Sequence, residues 1–118
     1  MSIEIILKEL VDSVQQAVGA ILVDWEGEAV MEYCACDSFD LRFIAAHKSI
    51  ILARFKEMQS AARIGEVEVL VVTSSKGHLI IGCIDKYYSL VMNIERTTLV
   101  ALAQYHFRRA LCELKKEI

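Results

Sequence analysis

Four cysteines and three histidines are the residues of this chain best suited to nucleophilic or metal chemistry: Cys34, Cys36, Cys83, Cys112, His47, His78 and His106. Cys34 and Cys36 lie two apart in a strand-like pattern, so both side chains point the same way. C-x-C is neither the C-x-x-C redox spacing nor a zinc spacing, and neighbours at that distance within one strand rarely form a disulfide. The four thiols read as reduced, largely buried side chains of a cytoplasmic protein. The histidines fall on a helix, a strand start and a second helix, with no H-x-x-x-H pair, and read as structural. Glu26 and Glu28 flank Gly27 as paired carboxylates, which at a hairpin tip are ordinarily solvated. No G-x-x-x-x-G-K-[ST], G-x-G-x-x-G or G-x-S-x-G stretch occurs, and the five glycines each suit a turn or a packing contact. The expectation is a chain with no catalytic residues, no metal site and no cofactor: not an enzyme.

Composition points to association instead. Apolar residues make up 55% of the 118, above the roughly 45–50% of ordinary globular domains. Exchanging the four tyrosines for the five glycines leaves that comparison unchanged. No apolar run approaches the roughly 18 residues of a membrane helix, and the start MSIEIILKEL has no secretory n-region or cleavage site. The expectation is one cytoplasmic domain, residues 1–118, not inserted in a membrane. A net charge of −3 argues against nucleic acid as a partner. That charge is unevenly spread: residues 1–40 carry nine acids and Lys8, whereas residues 41–65 carry five bases against Glu57. The basic block is either a partner-facing surface or the solvated side of a helix.

The elements that would position these residues follow from periodicity. Ile3, Ile6, Leu7, Leu10, Val14 and Ala17 recur at helical spacing, so residues 2–18 read as helix α1, capped by Ser2 and ended by Gly19. Residues 20–23 (β1) and 28–34 (β2) form a hairpin around Asp24-Trp25-Glu26-Gly27. Asp37, Ser38 and Asp40 are cap candidates for a long helix, α2, that reaches about Ile64 and stops at Gly65. Three strands follow at 67–73 (β3), 79–84 (β4) and 87–94 (β5), joined by Ser74-Ser75-Lys76-Gly77 and Asp85-Lys86. Thr97 or Thr98 then caps helix α3, with Leu99, Ala103, Phe107, Ala110, Leu111, Leu114 and Ile118 as its buried stripe. The order α-β-β-α-β-β-β-α, with hairpin-length connections, makes an α+β fold on a largely antiparallel sheet.

Helix α2 is apolar on two faces. Leu41, Ile44, Ala45, Ile51, Leu52, Phe55 and Ala62 share the arc that should cover the sheet. Phe43, Ala46, Ile50, Ala53 and Ala61 lie nearly opposite, and the small Ala46 and Ala53 permit close approach of another helix. A domain of this size has material to cover one such face, so the second burial is assigned to a symmetric homodimer. Residues 67–72 follow as an edge strand, whose Val67, Val69 and Val71 would pair with the symmetry mate. Two polar stripes separate the arcs, and Arg42, His47, Arg54 and Lys56 on them could face an acidic partner, where charge mainly steers association.

Three phrases in order, A-I-L-V-D-W-E-G-E at 20–28, I-A-A at 44–46 and L-I-I-G-C-I-D-K-Y-Y-S-L-V-M at 79–92, resemble the roadblock / dynein light chain family, which includes bacterial MglB-like proteins. The resemblance spans almost the whole chain. It implies a profilin-like five-stranded antiparallel sheet with α2 on one face and α1 and α3 on the other. It also implies dimerisation through α2 and the adjacent edge strand. Members commonly act as scaffolds or regulators of Ras-like small GTPases, or as motor light chains, without catalytic groups of their own. The leading expectation is therefore a homodimeric, non-catalytic scaffold or regulator of a Ras-like small GTPase. The alternatives are a small-molecule sensing domain of profilin or PAS kind, or a structural light chain.

Overall fold

The computed structural model describes residues 2–14, 17–24, 26, 28–34, 57, 65, 68–85 and 87–118. Its elements are α1 (Ile3–Ser13), β1 (Ala17–Asp24), β2 (Ala29–Cys34), β3 (Val69–Thr73), β4 (Gly77–Cys83), β5 (Tyr88–Glu95) and the terminal helix α3 (Val100–Glu117). The five strands form one sheet in the order β2-β1-β5-β4-β3, with every neighbour antiparallel. Two helices are described. The expected α2 lies outside the described residues except for Glu57, which is helical and exposed.

Local chemistry explains the hairpins. Asp24 accepts from the backbone N–H of Glu26 and Glu28 through one carboxylate oxygen, at 2.9 and 3.0 Å, an Asx arrangement that closes the β1–β2 turn. Asp85 does the same for Tyr87 and Tyr88, at 2.7 and 2.9 Å, between β4 and β5. Ser74 turns β3 into β4 by donating its N–H to the Gly77 carbonyl at 2.8 Å.

Two helix ends depart from the sequence expectation. Helix α1 starts as expected, with Ser2 Oγ accepting from the Ile5 N–H, but it ends at Ser13 rather than near Val18. Gly19 is no terminator; it sits within β1, paired with Cys34 on one side and Asn93 on the other. Strand β1 gains a ladder on both sides over Gly19 to Val23, and those hydrogen bonds outweigh a further helical turn. At α3 the N-cap is Leu99, not Thr97 or Thr98, and its side chain makes no capping hydrogen bond. Leu99 is 68% exposed and Ile118 45%, so the buried stripe shrinks to Ala103, Phe107, Ala110, Leu111 and Leu114.

Alternation along the strands divides the core in two. Ala20, Leu22, Ile80, Leu90, Met92 and Ile94 face α1 and α3 and pack with Leu7, Leu10, Phe107 and Leu114. Each of the Leu, Ile, Met and Phe side chains so withdrawn from water contributes about 2 kcal/mol. Ile21, Val23, Leu70, Ile81 and Val91 form a second cluster on the opposite face. Among the described residues no helix is long and apolar enough to cross a membrane.

Candidate functional site

Among the described strands β3 stands at the edge of the sheet, with β4 as its neighbour. Its residues, Val-Leu-Val-Val-Thr, are β-branched or apolar throughout, and they carry neither the lysines nor the prolines that usually blunt an edge. Register decides what this edge can offer. The Cys83 N–H donates to the Glu68 carbonyl at 3.1 Å and the Ser74 N–H to the Gly77 carbonyl at 2.8 Å. Both bonds belong to the same register as Leu70↔Ile81 and Val72↔Leu79. In an antiparallel ladder main-chain groups alternate in direction. Residues 68, 70, 72 and 74 therefore address β4, and the N–H and C=O of Val69, Val71 and Thr73 point away from the sheet.

Side chains follow the other alternation. Val69 and Val71 are half-buried and pack against the core under α1 and α3, while Leu70 enters the second cluster and Val72 is 37% exposed. What Val69 and Val71 present outward is thus a row of main-chain donors and acceptors, with the side chains fixing that row from behind. Val67 lies outside the described residues. So do Phe43, Ala46, Ile50 and Ala53, and the basic candidates Arg42, His47, Arg54 and Lys56.

The chemistry-bearing residues occupy separate places. His78 is buried between two partners: Thr73 Oγ1 lies 2.8 Å from its Nδ1, and the Arg96 carbonyl lies 3.1 Å from its Nε2. A carbonyl can only accept, so Nε2 carries the hydrogen of its bond, and Nδ1 pairs with the threonine hydroxyl. The histidine ties the β3–β4 turn to the entrance of α3, as a structural residue would. His106 meets Tyr105 edge-on at 5.2 Å on α3. Cys34, Cys83 and Cys112 are not in disulfides. Cys112 corrects the expectation of burial: it faces solvent on the outer side of α3, off the stripe that packs on the sheet. His47 and Cys36 lie outside the described residues. Among the described residues no group of three or more histidine, cysteine or acidic side chains could hold a metal ion.

One feature escaped the sequence reading. Between α1 and α3 runs an open groove of about 350 Å³, lined by residues of both helices including Glu9, Asp12, His106 and Arg109. The two walls lie almost a hundred positions apart in the chain. The available signal was the leftover polar and apolar side of α3, where Leu102 and Tyr105 stay about half exposed.

No family model and no curated protein matches the chain at the level of sequence. Solved structures do. MglB of Myxococcus xanthus superposes with a TM-score of 0.85 at 18% identity, covering 97% of this chain and 92% of that one. A roadblock/LC7 domain from Streptomyces avermitilis gives 0.83 at 17% identity, over 97% and 95% of the two chains. An MglB in a tetrameric arrangement gives 0.87 at 17% identity, over 97% and 85%. A sheet in the order β2-β1-β5-β4-β3, two helices on one face and this breadth of superposition lead to one conclusion: the chain has the roadblock/LC7 fold in the form seen in MglB.

Proposed function

We propose that the chain is a non-catalytic homodimer that scaffolds or regulates a Ras-like small GTPase. The observation that carries the reading is the superposition on MglB over 97% of the chain. The outward main-chain row of β3 supports self-association, because two such edges related by a two-fold axis continue one sheet through both copies. In this reading Val67, Val69 and Val71 supply the strand contact, while Phe43, Ala46, Ile50 and Ala53 supply the apolar helix contact beside it. The MglB with a tetrameric arrangement is a relative that self-associates. Arg42, His47, Arg54 and Lys56 steer an acidic rim of the GTPase toward the dimer.

The test uses Ras-like GTPases from the same cell, each loaded with GTP or with GDP and mixed with the full chain. Co-elution in gel filtration with one nucleotide state, and a changed rate of GTP hydrolysis, is the expected result. If no such GTPase co-elutes in either state, the proposal fails.

A further inference from the structure

The two described helices cover their face of the sheet unevenly. Helix α1 packs over β1 and β2. Helix α3 rests on β4, where Phe107 and Leu111 lie close over the Gly82 backbone. Strand β3 lies beyond α3, and its residues on this face stay partly open: Val69 and Val71 are half-buried and Thr73 is exposed. At about 100° per residue around α3, the buried stripe of Ala103, Phe107 and Leu114 has two flanks. His106 and Glu113 line the groove toward α1. Gln104, Arg108 and Lys115 lie on the other flank, which overlooks β3. Arg108 and Lys115 are exposed and stand two turns apart, about 10 Å along the helix. Among the described residues neither of them meets a carboxylate.

In the dimer proposed above, β3 continues into β3 of the second copy, and the two ledges become one channel across the two-fold axis. Its floor is Val69, Val71 and Thr73 of both copies, and its walls are the Arg108 and Lys115 flanks of the two α3 helices. Three strand spacings of about 4.8 Å set one β4 about 14 Å from the other, and the α3 axes with them. Two helices in contact lie roughly 8–10 Å apart, so these walls do not close on each other. A third helix between them would need about twice the contact distance, and the channel is too narrow for it. An extended chain is the slimmer occupant that it suits.

We propose that this channel binds an extended acidic segment of a protein partner, one segment per dimer, with its carboxylates on Arg108 and Lys115 of both copies. Charge complementarity selects the occupant. Each chain carries a net charge of −3, so the molecule as a whole repels an acidic ligand and holds it only where cations are gathered. The channel gathers four, two from each wall. The site rests on the dimer of the preceding subsection and needs no GTPase.

The probe is a fluorescein-labelled peptide of about ten alternating Glu and Ala residues, about 33 Å long when extended. It is titrated with the full chain and followed by anisotropy, with light scattering at the same concentrations. Binding is expected to saturate at one peptide per two chains and to weaken as salt is raised. Arg108→Glu/Lys115→Glu weakens it by about tenfold or more. Lys8→Glu/Lys116→Glu makes the same change in net charge away from the channel and keeps affinity within about twofold. A chain that scatters as a monomer overturns the dimer and this site together. A dimer overturns the acidic-segment site alone if it leaves the peptide free or takes up one peptide per chain. So does a dimer that binds as well after Arg108→Glu/Lys115→Glu, or that holds a thymidine strand of equal length as tightly.

Discussion

A Cβ added at Gly82 would lie 2.6 Å from Phe107 Cε1 and 2.7 Å from Leu111 Cδ1, so α3 rests directly on the backbone of β4 at that point. At Gly77 the obstacle is main chain: the Cβ would lie 2.6 Å from the Ile94 carbonyl oxygen. The two positions differ in what can yield. Phe107 and Leu111 are buried but can turn, whereas the Ile94 carbonyl belongs to β5 in the middle of the sheet. Gly82→Ala is expected to cost about 1–3 kcal/mol through overpacking. Gly77→Ala costs more, because β4 must move away from β5. Urea denaturation of the two variants checks both the loss and its order. The neighbouring His78 explains why this corner is fixed so closely. A buried ring bonded on both nitrogens requires the β3–β4 turn and the Arg96 loop to keep their positions.

Element ends show where local sequence and tertiary structure disagree. Helix α3 has Leu99 at its N-cap, a mostly exposed apolar residue whose side chain makes no capping hydrogen bond. Leu99→Asp supplies both a cap acceptor and a charge that favours the helix N-terminus, for about 1 kcal/mol of added stability. The thermal midpoint is expected to rise by about 4 °C, read by circular dichroism. A second contrast belongs to β3. Val72 directs its N–H into the β4 ladder, so Val72→Pro loses a sheet hydrogen bond and destabilises the fold. Val71 directs its N–H outward, so Val71→Pro leaves the fold standing and removes one donor from the edge. If the edge joins two copies, Val71→Pro reduces the dilute species to the monomer mass in light scattering. Most strands and both described helices were legible from periodicity and turn residues, because Asp24, Asp85 and Ser74 act within a few positions. The end of α1 was not, since it depends on Asn93, seventy-odd residues away, giving Gly19 a strand partner. The outward row on β3 was hidden for the same reason. Which of two alternating sets points out is fixed by the pairing with β4, and no property of Val69 or Val71 alone reveals it.

On the scale of the molecule, the apolar excess read from composition has to be distributed over surfaces. One sheet face closes on α1 and α3, and residues of the other face, Ile21, Val23, Ile81 and Val91, are also fully buried. The apolar arc of α2 formed by Phe43, Ala46, Ile50 and Ala53 was read from the sequence as opposite to the one that should cover the sheet. In the proposed dimer its burial falls to the second copy. Ile50→Glu places a charge in that contact, and an unpaired buried carboxylate costs several kcal/mol, enough to weaken dimerisation by 10²-fold or more, on the order of 3 kcal/mol. Light scattering is expected to give a folded monomer, with Ile50→Met retaining the dimer because volume and polarity are kept. The edge and the helix are argued to serve one interface, which makes their coupling the sharper measurement. Ile50→Glu combined with Val71→Pro should weaken association no more than either does alone once the monomer is reached. A folded Ile50→Glu dimer that Val71→Pro still dissociates would place the contact on the β3 edge and remove α2 from it.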